Sequence, residues 1–316
     1  MSAQHHATSL AGIRPLRAPL HLAIGMFDGV HLGHQAVIEA AMSSARQSGG
    51  VAAVLTFHPH PSRLFRPAAP TLLLMPPEQK AHFLRELGVH MVIAQPFTRT
   101  FARIEAAHFL AYLKKHLSTL AAVYVGENFR YGRGRVGDVE LMVRSGREAG
   151  IGVVSVARLR HNGQPISSTR IRELLASGNI AQANRLLGYT YYCEGVVQTG
   201  QRLARKLGFP TLNVAWAPEA QPAYGVYAVR LRVANGRWRQ GVANYGVRPT
   251  VVKGKATLPL LETHLRGRGA APGPRARVRV EWREFLRPEK KFASVEDLQK
   301  QIARDCVAAE KYFDKL

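Results

Sequence analysis

The sequence predicts an α/β chain of two domains, a parallel sheet followed by an antiparallel β-barrel with a closing helix. At 316 residues the chain is long enough for two separate cores. Up to residue 187, short apolar runs alternate with stretches of helical spacing, which is typical of a parallel sheet with helices on both faces. After residue 189, β-branched and aromatic runs are joined by Gly, Pro and Asn, as in an antiparallel barrel. We therefore expect domains 1–187 and 188–316.

The first domain contains five predicted strands. They cover residues 20–24, 51–57, 90–94, 121–125 and 152–156. Helical spacing is found at 78–87 and 106–117, and a further helical stretch from 167 to 187 is interrupted near Gly178 and ends at Gly188. Ligands of such sheets bind at the carboxyl ends of the strands, so we expect a site at that edge.

The second domain is predicted to contain strands and one final helix. The strands cover residues 191–197, 224–233, 237–243, 260–265 and 275–283. The tripeptide Ala234-Asn235-Gly236 indicates a hairpin turn. The helix begins after Ser294 as N-cap and runs to about Phe313. The basic stretch 266–275, rich in Gly, Pro and Ala, predicts a mobile loop.

The charge balance is strongly basic. Lys and Arg number 44 against 21 Asp and Glu, a formal net charge of +23. Such a balance favours anionic partners, either nucleic acid or nucleotide phosphates. The arginines are scattered along the chain, and no zinc-finger or RNP-type signature accompanies them, so the pattern does not favour nucleic acid. A solvated Arg-rich surface without a partner is the alternative.

The cysteine content and the apolar runs predict a protein of the cytoplasm. Cys193 and Cys306 are too few for a disulfide framework, which is typical of a reducing compartment. The N-terminal residues 1–20 lack the apolar core of a secretory signal. No run approaches the roughly 20 apolar residues that span a bilayer, so we expect no membrane contact.

Residues 25–34 are the most informative segment, with the sequence GMFDGVHLGH. They follow a predicted strand and lead into a helix, so glycines and exposed helix-end amides face the place where an anion would bind. His31 and His34 are three residues apart and share one face of the first turn. The other candidate nucleotide-binding residues of this segment are Gly25, Phe27, Asp28, Gly29 and Gly33.

Paired imidazoles at a helix start suit transfer at a nucleotide phosphate. Nucleotidyl transfer depends on positioning and on charge stabilisation more than on covalent help from the protein. His31 and His34 can supply both to an in-line attack at an α-phosphate. The alternatives are a histidine metal pair or two surface histidines. A dinucleotide site of the usual type is disfavoured because the G-x-G-x-x-G order is absent.

Four segments in this order resemble the bacterial bifunctional riboflavin kinase/FAD synthetase family. They are residues 25–34, 56–61 (TFHPHP), 125–138 (VGENFRYG followed by GD) and 166–172 (ISSTRIR). The resemblance implies a Rossmann-like HxGH nucleotidyltransferase domain that joins FMN and ATP. It implies that His31 and His34 hold the ATP phosphates and stabilise charge at the α-phosphorus. It also assigns phosphate contacts to Ser168, Thr169 and Arg172, and contact with ATP and FMN to Asn128.

These assignments also agree with general chemistry. Hydroxyls, amides and a guanidinium at a helix start can hold an anion, although Ser and Thr there also serve as ordinary caps. Asn128 lies between Gly126 and Gly132 and could equally form a turn. His58 stands where the family has an acidic residue, which bears on how the flavin is oriented.

A second signature occupies residues 200–213, with the sequence GQRLARKLGFPTLN, and resembles the riboflavin kinase motif. Thr211 and Asn213 lie on one side of an extended segment, and oxygen donors suit Mg²⁺. The resemblance gives these two residues the role of metal ligands, whereas an isolated Thr-x-Asn would indicate a polar turn. It also places Gly200, Arg205 and Gly208 near the ATP phosphates.

Glu262 is the candidate general base of the second domain. It stands among alternating apolar residues at the edge of a predicted strand. The resemblance makes it the base that acts on the 5′-hydroxyl of the ribityl chain; the alternative is a solvent-facing strand residue. Two features depart from the family: Ala204 replaces a glycine, and the loop 266–275 is basic where an acidic and aromatic loop is usual.

The resemblance implies two reactions. Riboflavin and ATP would give FMN and ADP in the barrel domain, and FMN with a second ATP would give FAD and pyrophosphate in the α/β domain. Both steps would need Mg²⁺, with ATP as co-substrate. One alternative keeps a single activity, with the kinase weakened by Ala204 and the altered loop. Another is a basic regulator that binds flavin or RNA on the same fold. The sequence makes no prediction of oligomeric state.

Overall fold

The computed structural model describes residues 6–198, 210–234, 236–247, 259–267 and 272–315. The first half contains short strands, six helices and 3₁₀ turns at Leu10–Gly12, Ala106–His108 and Arg133–Arg135 within the described residues. The strands are β1 (His6–Ala7), β2 (Leu20–Ile24), β3 (Val51–His58), β4 (Met91–Pro96), β5 (Leu120–Gly126), β6 (Gly152–Val156), β7 (Arg160–His161) and β8 (Gln164–Pro165). The helices are α1 (Leu32–Gln47), α2 (Pro61–Phe65), α3 (Pro77–Glu86), α4 (Arg99–Ala102), α5 (Phe109–His116) and α6 (Val139–Ala149).

A parallel sheet forms the centre of this half, in the order β1-β4-β3-β2-β5-β6. The five predicted strands are confirmed, and the two-residue β1 adds an edge that the sequence pattern did not indicate. Leu22 lies opposite Ala53 and Val123 in the neighbouring strands, and all three are fully buried. Near-continuous apolar strands are expected where both faces of a parallel sheet are covered. The hairpin β7–β8 stands apart from this sheet.

The second half begins with two helices and continues as a barrel. The helices are α7 (Ser168–Ala176) and α8 (Ile180–Leu187), and the strands are β9 (Tyr192–Gln198), β10 (Thr211–Ala215), β11 (Gly225–Val233), β12 (Arg239–Gly246), β13 (Leu260–Leu265) and β14 (Arg277–Pro288). The barrel closes in the order β10-β13-β12-β11-β14-β9, and the helix α9 (Val295–Phe313) follows. The antiparallel barrel and its closing helix are therefore confirmed. The strand β10 was predicted only as an extended segment, and β14 is longer than expected.

The helix α9 covers part of the outer face of the barrel. Val226, Ala228 and Val242 pack there against Ala309 and Phe313 of the helix. Ser294 caps the helix as predicted, since its Oγ accepts a hydrogen bond from the Asp297 amide at 3.1 Å.

An ion pair between the partly buried Arg287 and the buried Asp305 also fixes α9 to β14. The Arg287 guanidinium donates from Nε to Asp305 Oδ1 at 2.9 Å and from Nη2 to Oδ2 at 2.7 Å. Gln301 donates to Oδ1 of the same carboxylate at 2.9 Å. This two-point geometry is the strong form of an Arg–carboxylate interaction.

The Asp305→Ala substitution is expected to lower the free energy of unfolding by about 2 kcal/mol, because it removes the two charged hydrogen bonds that the partly buried Arg287 makes to the carboxylate. Urea unfolding followed by fluorescence measures the change. Asp314→Ala, at an exposed position beyond the same helix, is the control and should change stability by less than about 0.5 kcal/mol. Equal effects of the two substitutions would contradict this role.

The chain divides into two compact units, residues 1–168 and 169–316. The helix α8 belongs to the second unit, where Asn184 Nδ2 donates to the Trp282 carbonyl at 3.0 Å and Asn184 Oδ1 accepts from the Tyr191 amide at 2.7 Å. The domain boundary after residue 187 stays a prediction. In the part of the chain that the structure describes, every helix is too short or too polar to cross a membrane.

Candidate functional site

The carboxyl ends of the parallel strands bring the predicted residues of the first unit to one edge of the sheet. The strand β2 leads into residues 25–31, its neighbour β3 leads into α2, and β5 leads into the turn that contains Asn128. Asn128 is exposed in that turn. The structure therefore places the segment 25–34 and Asn128 at the edge where sheets of this type bind ligands.

The turn between β2 and α1 has an unusual backbone. Phe27 and Val30 adopt φ values of 49° and 36°, and Gly29 adopts 76°. Left-handed φ values are rare for residues other than glycine and are maintained only by the surrounding contacts. Both Phe27 and Val30 are buried, and Gln35 Nε2 donates to the Val30 carbonyl at 2.9 Å. A Cβ atom on Gly29 would lie 2.6 Å from Leu74 Cδ1, so the turn also requires a glycine there.

Asp28 anchors this turn to the segment before α3. The residue is 4% exposed, and its Oδ1 and Oδ2 accept from the Leu74 amide at 2.9 and 3.2 Å. Its carbonyl accepts from Ser168 Oγ at 2.9 Å. The predicted nucleotide-binding Asp28 and Ser168 are thus brought together, and Asp28 acts in this structure as a connector of loops.

His31 and His34 form a stacked pair at the start of α1. Their ring centroids are 3.6 Å apart with an interplanar angle of 16°. His31 Nδ1 accepts from the His34 amide at 3.3 Å, which leaves the proton of a neutral ring on Nε2. His34 Nδ1 is buried and has no hydrogen-bond partner among the described residues. The edge of the Phe27 ring contacts His34, with centroids 5.4 Å apart.

Both imidazoles are neutral near pH 7. Burial lowers the pKa of His31 to about 4. Burial also lowers the pKa of His34 well below its usual range, and repulsion by His31 and Lys80 lowers it further. A polyphosphate placed beside the pair would favour the protonated forms, because an opposite charge raises the pKa of an imidazole. The pair can therefore donate hydrogen bonds to phosphate and gain positive charge as negative charge develops.

The free energy of unfolding of the first unit is expected to fall as the pH is lowered from about 6.5 to 4. The unfolded chain takes up a proton at His31 near its ordinary pKa of 6.5, whereas the folded chain resists until about 4, so the stabilisation is complete above 6.5 and disappears across this interval. The change from this residue is roughly 3 kcal/mol. Chemical denaturation across this pH range measures it. His31→Asn keeps an N-cap side chain and should flatten the dependence; an unchanged slope in that variant would contradict the assignment.

Lys80 also contacts the turn before α1, although no sequence motif includes it. It lies on α3, is 9% exposed, and donates from Nζ to the Met26 carbonyl at 2.9 Å and to Thr56 Oγ1 at 2.8 Å. Burial lowers the pKa of Lys80 to about 8, against the opposing attraction of Asp28. The signal was present in the sequence, because Lys80 shares the core-facing side of the predicted helix with Ala81 and Leu84.

The helix α7 carries the other predicted phosphate contacts. Ser168 is its first residue, and Thr169 and Arg172 follow in its first turn and the start of the second. Amides and hydroxyls are therefore exposed at a helix start, as the sequence indicated.

The predicted metal ligands and general base of the second unit lie on neighbouring strands. In the register of β10 and β13, Asn213 stands opposite Glu262 and Thr211 opposite His264. Asn244 of β12 is opposite Glu262 on its other side. Residues paired in this way point to one face of the sheet, and their side chains lie about 5 Å apart. Thr211, Asn213 and Glu262 therefore share the outer face of the barrel, since Leu212 and Leu261 point inward and are buried.

Asn213 has a buried side-chain oxygen that can accept a hydrogen bond or bind a cation. The residue is 7% exposed, and its Oδ1 has no hydrogen-bond partner among the described residues. A buried acceptor of this kind is uncommon, and an oxygen donor there could take a further partner. The predicted Gly200, Arg205 and Gly208, together with Ala204, lie outside the described residues.

Comparison with known families assigns each half separately. Residues 14–170 match the family described as FAD synthetase, and residues 187–313 match the family described as riboflavin kinase. Curated relatives span both halves. The chain is 36% identical over 295 residues to the bifunctional riboflavin kinase/FMN adenylyltransferase of Escherichia coli strain K12, covering 92% of each chain. It is 35% identical over 311 residues to the protein of that name from Bacillus subtilis strain 168, covering 96% of each.

A solved structure shares the fold along nearly the whole chain. It is the crystal structure of a macrolide-efflux protein from Streptococcus pneumoniae, with a TM-score of 0.85 and 25% identity. The match covers 96% of this chain and 97% of that one. The similarities in sequence and in fold therefore both extend over the two units.

Proposed function

Because this chain belongs to the bifunctional riboflavin kinase/FMN adenylyltransferase family, and so makes FMN from riboflavin and FAD from FMN, we propose that each unit carries one of these reactions at the site described above. The adenylyl transfer takes place at the stacked histidines of the first unit. The phosphorylation of riboflavin takes place where Asn213 and Glu262 lie opposite each other on β10 and β13. The family matches support this division, since one ends at residue 170 and the other begins at 187. We propose the functional boundary between residues 187 and 188.

In the first unit, the phosphate of FMN attacks the α-phosphorus of ATP and pyrophosphate leaves. No proton has to be removed from the nucleophile, so the protein contributes positioning and charge stabilisation. His31 and His34 donate hydrogen bonds to the phosphates, with the Nε2 proton of His31 directed by its Nδ1 contact to the His34 amide. Ser168, whose Oγ donates to the Asp28 carbonyl, adds a hydroxyl beside the turn between β2 and α1. The backbone of Gly25 and Gly33 allows close approach of the nucleotide.

An aromatic surface beside this site supports a position for the flavin ring of FMN. Phe65 at the end of α2 is 64% exposed, and its ring meets that of Phe97 with centroids 6.0 Å apart. Phe57 lies behind Phe97, with centroids 5.7 Å apart. These residues follow or end the strands β3 and β4, whose carboxyl ends lie at the same edge of the sheet as the histidines. An exposed aromatic face suits stacking of a planar ring.

In the second unit, Glu262 accepts the proton of the ribityl 5′-hydroxyl while its oxygen attacks the γ-phosphorus of ATP. The new bond joins that hydroxyl oxygen to phosphorus, and ADP leaves. A carboxylate within hydrogen-bond reach of the hydroxyl suits this transfer. The register places Glu262 beside Asn213, so the base and the phosphate-binding groups lie on one face.

Thr211 and Asn213 fit a magnesium ion that accompanies ATP. The Oδ1 of Asn213, which has no partner among the described residues, is a hard oxygen donor, and Mg²⁺ takes few protein ligands alongside phosphate oxygens. Bound there, Mg²⁺ would neutralise charge on the phosphates of ATP. The free thiols of Cys193 and Cys306 agree with an enzyme of the reducing cytoplasm.

The main support for this proposal is that the chain contains two different groups of reactive side chains. One is the stacked imidazoles at the start of α1, and the other is the Glu262 carboxylate opposite the buried Asn213 amide. Incubation of the purified protein with riboflavin, ATP and Mg²⁺, followed by chromatography, tests it. FMN should appear first and FAD later. The absence of both products would reject the proposed sites together with the function.

A further inference from the structure

Lys80 takes part in a triangle of hydrogen bonds at the turn between β2 and α1. Its Nζ donates to the Met26 carbonyl and to Thr56 Oγ1, and Thr56 Oγ1 donates to the same Met26 carbonyl at 3.0 Å. Met26 opens the turn, while Thr56 belongs to the end of β3. One ammonium group thus connects α3, β3 and the turn before α1.

The connection leads directly to the histidine pair. Met26 precedes Phe27, the residue with a φ of 49°, and the Phe27 ring edge rests on His34. A shift of the Met26 carbonyl would therefore move Phe27 and, through it, His34. Small displacements of groups that position a reaction lower its rate strongly.

The charge of Lys80 has a second consequence for the pair. Burial disfavours the ammonium form, so a neutral side chain would fill this core position at lower cost. Groups with such perturbed protonation are concentrated at functional sites. The titratable groups that act on His34 are His31 from the start of α1 and Lys80 from α3. Asp28 acts in turn on Lys80, and His58 and His60 line the same small cavity beside the ammonium.

We propose that Lys80 is a positioning residue of the adenylyl transfer, which holds the turn against β3 and supplies the fixed positive charge behind the two imidazoles. The inference rests on the proposed site of FAD formation. It assigns a role to a side chain outside the segment 25–34. Through this side chain, the turn before α1 is connected to β3, the strand that leads toward Phe65.

The test compares Lys80→Met with Lys114→Met in the full-length protein. Lys114 belongs to the same unit and also donates to a backbone carbonyl, that of Ala149, on α6. Lys80→Met should lower the rate of FAD formation from FMN by roughly 10- to 100-fold, and Lys114→Met should leave it unchanged. Phosphorylation of riboflavin, measured in the same preparations, should be unaffected in both.

The pH dependence of the rate of FAD formation shows whether Lys80 acts through its position and charge or only by packing in the core. Removal of the Lys80 charge raises the pKa of His34, so the limb of the rate profile on which His34 loses its proton should move to higher pH in Lys80→Met. Thr56→Val removes two of the three hydrogen bonds of the triangle but leaves the Lys80 charge, so it should lower the rate without moving that limb. A normal rate in Lys80→Met, a fall without movement of the limb, or an equal fall in riboflavin phosphorylation would each overturn the inference. Absence of FAD formation in the wild-type protein would instead reject the proposed function.

Discussion

The His34→Ala protein is expected to lose FAD formation from FMN by roughly 100- to 1,000-fold, while it phosphorylates riboflavin at the wild-type rate. The substitution removes one of the two stacked imidazoles that we propose as donors to the phosphates. It leaves the barrel intact, because His34 belongs to the first compact unit. Chromatography of the flavin products, with FMN as the substrate in one reaction and riboflavin in another, measures both activities.

An exposed histidine of the same unit provides the control. His108 pairs only with Glu105 at the surface among the described residues, and His108→Ala should retain both activities. If His34→Ala formed FAD at a rate within about threefold of the wild type, the imidazole pair would not be the transfer site.

The Glu262→Gln protein is expected to show the reverse pattern. Riboflavin phosphorylation should fall by roughly 100- to 10,000-fold, since the amide can no longer take the proton of the attacking hydroxyl. FAD formation from added FMN should continue at the wild-type rate. The amide keeps the size of the carboxylate, so the pairing of β13 with β10 and β12 should be preserved.

Glu194 on β9 is the matched control for this change. It lies on the outside of the same barrel and pairs with Arg279 at 2.7 Å. Glu194→Gln should leave riboflavin phosphorylation intact. Loss of both activities in Glu262→Gln would indicate that the substitution unfolds the chain, whereas retention of kinase activity would exclude Glu262 as the base.

Local signals in the sequence are sufficient for the first site. A strand, a glycine-containing turn and a helix are each specified by neighbouring residues, so the sequence pattern alone places residues 25–34 at the end of a strand and the start of a helix. The final helix can be predicted in the same way, because its N-cap Ser294 is a local signal in the sequence. Glu262 and Asn213 are identified by motif, but their pairing depends on strand register, which no local pattern specifies.

The contacts that the sequence did not indicate are long-range. Lys80 meets Met26, 54 residues away, and its polar role is hidden in a helix of ordinary spacing. Arg287 and Asp305 lie on different elements and meet only where α9 packs against β14. The strand β10 has five residues and alternates polar with apolar side chains, so its short signal resembles a polar turn as closely as a strand.

Mixing the two defective proteins tests most directly whether the chain contains two independent sites. His34→Ala supplies FMN, and Glu262→Gln supplies the adenylyl transfer. Given riboflavin, ATP and Mg²⁺, each protein alone should form FAD at least about 100-fold more slowly than the wild type, and the mixture should form FAD much faster than either as free FMN accumulates. A mixture that produces FMN but no FAD, or neither flavin, would contradict the assignment of one reaction to each unit.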